Sequence, residues 1–252
     1  MFFSKPGEYE PCSMYSTGHL ILSIFTIIII TIAIKSTKTQ DKDKIRKIIR
    51  NVTIVALILE FIKIAFNFSI GKGNNPNTYF PCYYCSLLLY AGMFSSFGKG
   101  KIKRIGDVFL QTGAIIAGVI FLIFPTTSLP EYPAIHFYSI HSFLFHGAMI
   151  YLGILMNIGN YILLTRKDIK YYAGLVVTIG VIAYIINLIL DSNLMFISKE
   201  LPKTPLVLLY NSTGKFYSII MLALQTFPPF YIVYGIIKIL KKEKKYDLST
   251  TN

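Results

Sequence analysis

Residues 18–34 read GHLILSIFTIIIITIAI, an unbroken run without a charged side chain. A helix needs about 20 apolar residues to cross a hydrocarbon core of about 30 Å, because unpaired backbone groups cannot be left in lipid. A run of this length and character predicts a membrane span rather than a buried helix of a soluble domain.

Six further apolar runs follow, and the connections between them are rich in charged residues, Gly, Asn or Pro. We predict spans at residues 18–34, 52–70, 80–97, 107–124, 134–156, 171–190 and 216–240. The predicted fold class is an all-α polytopic membrane helical bundle with seven transmembrane helices. Residues 1–17 form an extracytoplasmic segment, residues 18–240 a single membrane domain, and residues 241–252 a cytoplasmic basic tail.

The composition agrees with this class, because 54% of the 252 residues are hydrophobic and only 15% are charged. The formal net charge is +13. In a soluble protein this charge would suggest nucleic-acid binding, which requires basic residues distributed over a folded surface. Here the basic residues lie in short connections between apolar runs. We therefore predict no nucleic-acid partner and relate the charge to topology.

Lys and Arg are distributed unevenly between alternate connections. Nineteen of the 25 fall in the first, third and fifth connections and the C-terminal tail. The opposite side holds Lys5, Lys72, Lys199, Lys203 and Lys215, and Lys63 lies within a span. Because cytoplasmic loops are enriched in Lys and Arg, we predict a multi-pass protein of the cell membrane with its N-terminus outside and its C-terminus in the cytoplasm.

With this orientation, all Cys and His residues fall in the extracytoplasmic half. They are Cys12, Cys82, Cys85, His19, His136, His141 and His146. For any one of them a structural role is the simpler interpretation, since a free Cys behaves as a small hydrophobe. Their clustering, together with Glu60 and Lys63 inside the second span, favours a functional interior, because ionisable groups in spans are costly. We predict a polar cavity that opens outward.

The segment Cys82-Tyr83-Tyr84-Cys85 is compatible with three chemistries. A dithiol at the outer end of a span is typical of disulfide oxidoreductases. Two Cys and two His could bind zinc, but His141 and His146 are spaced i, i+5 and point about 140° apart on a helix. A Cys activated by a His could instead carry an acyl group as a thioester. The spacing does not choose among them.

Several short motifs resemble those of the YwaF-like bacterial integral membrane proteins. The stretch from Tyr79 to Leu87 is similar to their Leu-Pro-Leu-x-Leu-Cys-Ser/Asp-Ile signature, with Cys85 at the Cys of the signature. Further similarities occur at Ser16-Thr17-Gly18-His19, at Leu59-Glu60, at the segment His141 to Gly147, and at the stretch from Asn187 to Phe196. That family in turn resembles the transmembrane protein one-six-four acyltransferase family.

The resemblance implies a lipid acyltransferase in which Cys85 is the nucleophile and His146 the base. Its partners would be a phospholipid donor and a lyso-phospholipid acceptor, and we predict no cofactor and no metal. The supporting residues are His141, Glu60, Lys63, His19, Asn187 and Asn193. Cys82 stands where the family has an apolar residue, which leaves a thiol-disulfide oxidoreductase open as an alternative. A non-enzymatic lipid or solute carrier is a further alternative.

Overall fold

The computed structural model describes residues 1–202 and 204–250, with side chains up to residue 240. Lys203 and the last two residues of the predicted tail lie outside this part. The described residues form nine α-helices and no β-strand. The helices are α1 (Thr17–Thr37), α2 (Lys42–Ser69), α3 (Leu87–Phe97), α4 (Gly100–Gln111), α5 (Gly113–Ile123), α6 (Phe137–Ile158), α7 (Ile169–Leu190), α8 (Leu206–Thr213) and α9 (Tyr217–Thr250).

Six helical segments within the described part are long and apolar enough to cross a membrane. They are Thr17–Thr37, Lys42–Ser69, Gly100–Ile123, Phe137–Ile158, Arg166–Leu190 and Leu206–Leu240. Each overlaps one of the predicted spans, so the all-α membrane class is confirmed. The last helix continues to Thr250, into the predicted tail.

The predicted third span differs from the others. Its helix, α3, begins at Leu87 instead of residue 80 and has 11 residues. At a rise of about 1.5 Å per residue it is about 16 Å long, roughly half of a hydrocarbon core of about 30 Å. Pro81 disfavours helical geometry at residue 80, which excludes the predicted first residue of the span but still permits a helix from residue 81 onward. Cys82 and Cys85 lie in a turn before the helix.

The predicted fourth span consists of two helices, α4 and α5, with a break at Thr112. A break inside a bilayer leaves backbone groups that need partners. Asn157 of α6 provides one, because its Nδ2 donates to the Gln111 carbonyl at 3.0 Å. The Gln111 side chain donates back to Asn157 Oδ1 at 3.0 Å. This reciprocal pair allows the interruption without an orphaned carbonyl at Gln111.

Helices α4 to α6 form the centre of the bundle. In their most apolar stretches 67% of the residues are buried for α4 and α5 and 72% for α6, against 17–28% in the other candidate spans. α6 packs against α1, α2, α4 and α5, whereas α3 lies between α2 and α4. Side chains on α6 therefore face the protein interior on most sides, which suits a site better than a lipid-facing helix would.

At one end of the bundle the N-terminal segment packs on the connection between α5 and α6. Cys12 N–H donates to the Tyr132 carbonyl at 3.0 Å. Lys72, which follows α2, forms an ion pair with Glu131 of the same connection. Burial alone would lower the pKa of Lys72, but the hydrogen bond and the charge of Glu131 outweigh it and raise the pKa. These contacts bring together the N-terminal segment, the α2–α3 connection and the α5–α6 connection, all of which have few Lys and Arg residues.

At the other end α4 is joined to the start of α7 by a charged fork. Arg104 Nε and Nη2 donate to the two carboxylate oxygens of Asp168, at 2.9 and 2.6 Å. Asp168 also accepts the backbone N–H of Thr165 at 2.7 Å. Its carboxylate is buried, and the Arg104 side chain is 27% exposed. The Arg-rich connections thus meet at one end, as their alternation in the sequence predicts.

We expect Asp168→Asn to destabilise the protein by about 3 kcal/mol, because loss of one partner leaves the other charge of a buried pair uncompensated. For a chain of this length the melting temperature in detergent should fall by about 6–12 °C. Asp191→Asn is the matched control, since its ion pair with Lys199 is exposed and such pairs contribute about 0.2–1 kcal/mol. Equal shifts for the two variants would contradict the proposed role of the fork.

Candidate functional site

The candidate site is centred on an ion pair within α2. Lys63 Nζ lies 2.5 Å from Glu60 Oε1, and the two side chains are only 19% and 8% exposed. Cys85, His141 and His146 lie within electrostatic range of the Lys63 ammonium. The fold therefore brings four residues that the sequence indicated, Glu60, Cys85, His141 and His146, into the surroundings of a fifth, Lys63.

The turn that carries Cys85 is fixed by contacts on both sides. Tyr90 of α3 donates its hydroxyl to the Pro81 carbonyl at 3.1 Å. The Cys85 carbonyl accepts the N–H of Leu88 at 3.1 Å, so the residue leads directly into α3. Cys85 is therefore held at the N-terminal end of a helix, where N–H groups and the helix dipole offset part of the cost of an anionic sulfur in a buried position.

Two of the four histidines have both ring nitrogens engaged. His19 Nε2 bonds the Leu122 carbonyl at 2.9 Å, and its Nδ1 accepts the N–H of Tyr15 at 3.0 Å. His136 Nε2 bonds the Ser4 carbonyl at 3.1 Å, and its Nδ1 caps α6 by accepting from Tyr138 N at 3.0 Å. Neither ring has a nitrogen left for proton transfer.

His146 has a defined tautomer with one nitrogen left over. Its Nδ1 lies 2.7 Å from the carbonyl of Ser142, one turn earlier on α6. A carbonyl oxygen only accepts, so Nδ1 carries the proton and Nε2 holds the lone pair. The ring stacks on Phe121 with a centroid distance of 3.7 Å. These two contacts fix the ring with a basic nitrogen free, which is the arrangement required of a general base.

His141 has no hydrogen-bond partner for either ring nitrogen within the described part of the chain. The residue is 5% exposed and lies between the rings of Phe137 and Phe145 on α6. A buried polar group without a partner costs free energy. Its position beside the Lys63 ion pair makes it a second polar side chain that can bind an incoming molecule.

The model of the TMEM164 family matches residues 14–234, which include every residue of the candidate site. The chain belongs to the TMEM164 family. This result confirms the resemblance drawn from the short motifs. No curated protein and no solved structure matches the chain.

In this TMEM164-family chain, Asn187 and Asn193 organise the loop that follows α7. Asn187 accepts from Leu194 N at 2.8 Å and donates to Ser198 Oγ at 2.8 Å. The N–H of Asn193 donates to Asn77 Oδ1 at 2.8 Å, and Tyr83 donates to the same oxygen at 3.3 Å. Asn193 is thus linked to the cysteine-containing turn through Asn77 and Tyr83, whereas Asn187 bonds only within the loop.

A narrow apolar crevice of about 140 Å³ lies between α1 and α6. Its lining residues are Thr26, Ile29, Ile30, Ala33, Leu144, Gly147, Ala148 and Tyr151. Gly147 permits the close approach of the two helices, since a Cβ there would lie 2.8 Å from Thr26 Cγ2. The crevice has the apolar lining that a hydrocarbon chain requires. The His146 side chain does not line it and packs against Phe121 of α5 instead.

The cysteines of the TMEM164-family chain are all free, and Cys82 is buried while Cys12 and Cys85 are partly accessible. Within the described part no group of three or more His, Cys, Asp and Glu side chains is arranged to hold a metal ion. The candidate site therefore contains separate thiol and imidazole side chains, and these side chains are not arranged as a set of metal ligands.

Two features of the site were not identified as functional from the sequence. Ser142 sets the His146 tautomer through its carbonyl, and a contact of this kind has no side-chain signature. Asn67 donates to the Thr78 carbonyl at 2.8 Å while its Oδ1 is buried without a partner. Asn67 follows Glu60 and Lys63 at i+7 and i+4, and that helical spacing could have placed it on the same face.

Proposed function

We propose that this chain is an integral membrane acyltransferase that moves acyl chains between phospholipids through a thioester on Cys85. The observation that carries the proposal is the sorting of the histidines. His19 and His136 have both ring nitrogens bonded, whereas His141 has neither bonded and His146 only Nδ1. Resemblance to an acyltransferase family supports the same chemistry.

In the first half-reaction, His146 Nε2 takes the proton of the Cys85 thiol, and the sulfur attacks the ester carbonyl of a donor phospholipid. The carbon–oxygen bond of the ester breaks, and the departing oxygen takes the proton from His146. The products are a thioester and a lyso-phospholipid. In the described part of the chain the thiol has no hydrogen bond to His146, and contacts of this kind often tighten only when substrate is bound.

In the second half-reaction, the hydroxyl of an acceptor lyso-phospholipid gives its proton to His146 and attacks the thioester. The carbon–sulfur bond breaks, and the thiolate recovers the proton. Atoms and charge balance without an additional reactant. The acceptor must reach the thioester from the membrane, and we propose that the site opens on the extracytoplasmic side of the cell membrane.

Lys63 and His141 would supply positive charge and a hydrogen bond where negative charge develops. The tetrahedral intermediate carries an oxyanion, and preorganised donors in a dry site stabilise such charge strongly. Glu60 compensates the Lys63 charge before substrate enters. The crevice between α1 and α6 would receive the acyl chain, because its lining is apolar.

The test is acyl transfer by the purified protein in detergent or nanodiscs, with a labelled phospholipid donor and an unlabelled lyso-phospholipid acceptor. We expect labelled product and, when acceptor is omitted, label on a peptide that contains Cys85 and is released by neutral hydroxylamine. Heat-inactivated protein is the control. Neither transfer nor a labelled peptide, over a range of acyl chains and headgroups, would contradict the proposal.

A further inference from the structure

A basic cleft of about 360 Å³ lies far from the candidate acyl-transfer site, at the start of α2. Its lining residues are Asp43, Arg46, Lys47, Arg50 and Ser96. The four residues of α2 share one helical face by their spacing. Three cations thus face a single carboxylate, and the cleft has a net positive charge.

The cleft has two features of a built site. Arg46 is held in place, because its Nε donates to the Ser96 carbonyl at 3.1 Å and its Nη2 to the Gly98 carbonyl at 3.2 Å. These bonds use two of the five guanidinium donors. Ser96 is only 6% exposed, and its hydroxyl has no hydrogen-bond partner within the described part of the chain. Ser96 lines the cleft, so its unpartnered hydroxyl is a hydrogen-bond donor at the edge of the basic cluster.

The position of the cleft along α2 indicates the depth of the ligand. α2 has 28 residues and is about 42 Å long, which exceeds a hydrocarbon core of about 30 Å. Its apolar part runs from residue 52 to the far end, so residues 42–51, nearly three turns, project into the headgroup region. Lipid phosphates lie at this depth.

Lys and Arg at this end are also expected from topology alone. Topology requires only charge, however, and does not require Arg46 to be fixed by two carbonyls or a hydroxyl to be buried without a partner. We infer that the cleft binds a phosphate group, with Arg46, Lys47 and Arg50 pairing with its oxygens and Ser96 donating a hydrogen bond. The phosphate belongs either to an anionic phospholipid headgroup or to a soluble phosphate.

Native mass spectrometry of the purified full chain tests this inference, with phosphatidylglycerol as the lipid probe and inorganic phosphate as the soluble one. We expect Lys47→Gln/Arg50→Gln to weaken binding by about 30-fold, which corresponds to about 2 kcal/mol for two charges near the surface. Ser96→Ala should weaken it by about tenfold, because a hydrogen bond to a charged group is lost. Ser96→Ala leaves every charge and therefore the topology unchanged.

Lys42→Gln/Lys44→Gln is the matched control, since both side chains are exposed on the same helix but do not line the cleft. It should change binding less than twofold. Phosphatidylglycerol that is retained in excess inorganic phosphate identifies the lipid as the source, and its displacement identifies soluble phosphate. An equal loss in the control and cleft variants, or unchanged binding in Ser96→Ala, would overturn the inference.

Discussion

Cys85→Ala should abolish acyl transfer, whereas Cys82→Ala should retain most of it. Removal of a covalent nucleophile leaves only binding and electrostatic effects, so we expect a loss of more than about 1,000-fold in kcat for Cys85→Ala. Cys82 is buried three residues earlier in the same turn, and its replacement by Ala removes a small apolar side chain. The measurement is initial rate of product formation at saturating donor and acceptor, with the melting temperature of each variant recorded alongside.

The same pair of variants separates the alternative functions. A thiol-disulfide oxidoreductase needs both cysteines, so equal loss in Cys82→Ala and Cys85→Ala would favour redox chemistry. A carrier would tolerate both changes and lose transport in Glu60→Gln or Lys63→Met, since intramembrane charges mark transport pathways. Unchanged acyl transfer in Cys85→Ala would remove the thioester mechanism.

The spans were predictable because their signal is local. A run such as residues 18–34 has one stable conformation in lipid, whatever its neighbours are. The start of α3 was not predicted, because hydropathy does not distinguish an apolar helix from an apolar turn. Pro81 indicated only that the helix starts no earlier than residue 81, and no signal in the sequence marked the start at Leu87.

The candidate site was predictable only in outline. Residue type and topology placed the cysteines and histidines in one half of the bundle, but they could not separate engaged from free rings. That distinction depends on carbonyl partners far away in sequence, such as Leu122 for His19 and Ser4 for His136. Such contacts follow from the packed fold, and no spacing along the chain encodes them.

His146→Gln should lower kcat for acyl transfer by about 100-fold to 10,000-fold, the range for loss of a general base. Glutamine preserves much of the side-chain volume and can still donate to the Ser142 carbonyl, but it cannot accept a proton. His136→Gln is the matched control because both ring nitrogens are engaged, Nδ1 in capping α6 and Nε2 with the Ser4 carbonyl. It should affect the melting temperature more than the rate of correctly folded protein.

A purely structural role for His146 would leave the pH profile of the remaining activity unchanged. In His146→Gln the thiol must ionise without a base, so the residual rate should rise with pH over a range where the wild-type rate is already constant. His141→Gln keeps the base and should lower the rate less, with the wild-type pH profile retained. A larger loss in His141→Gln than in His146→Gln, together with the altered profile, would transfer the role of base to His141. Wild-type rate and profile in His146→Gln would contradict general-base catalysis by this residue.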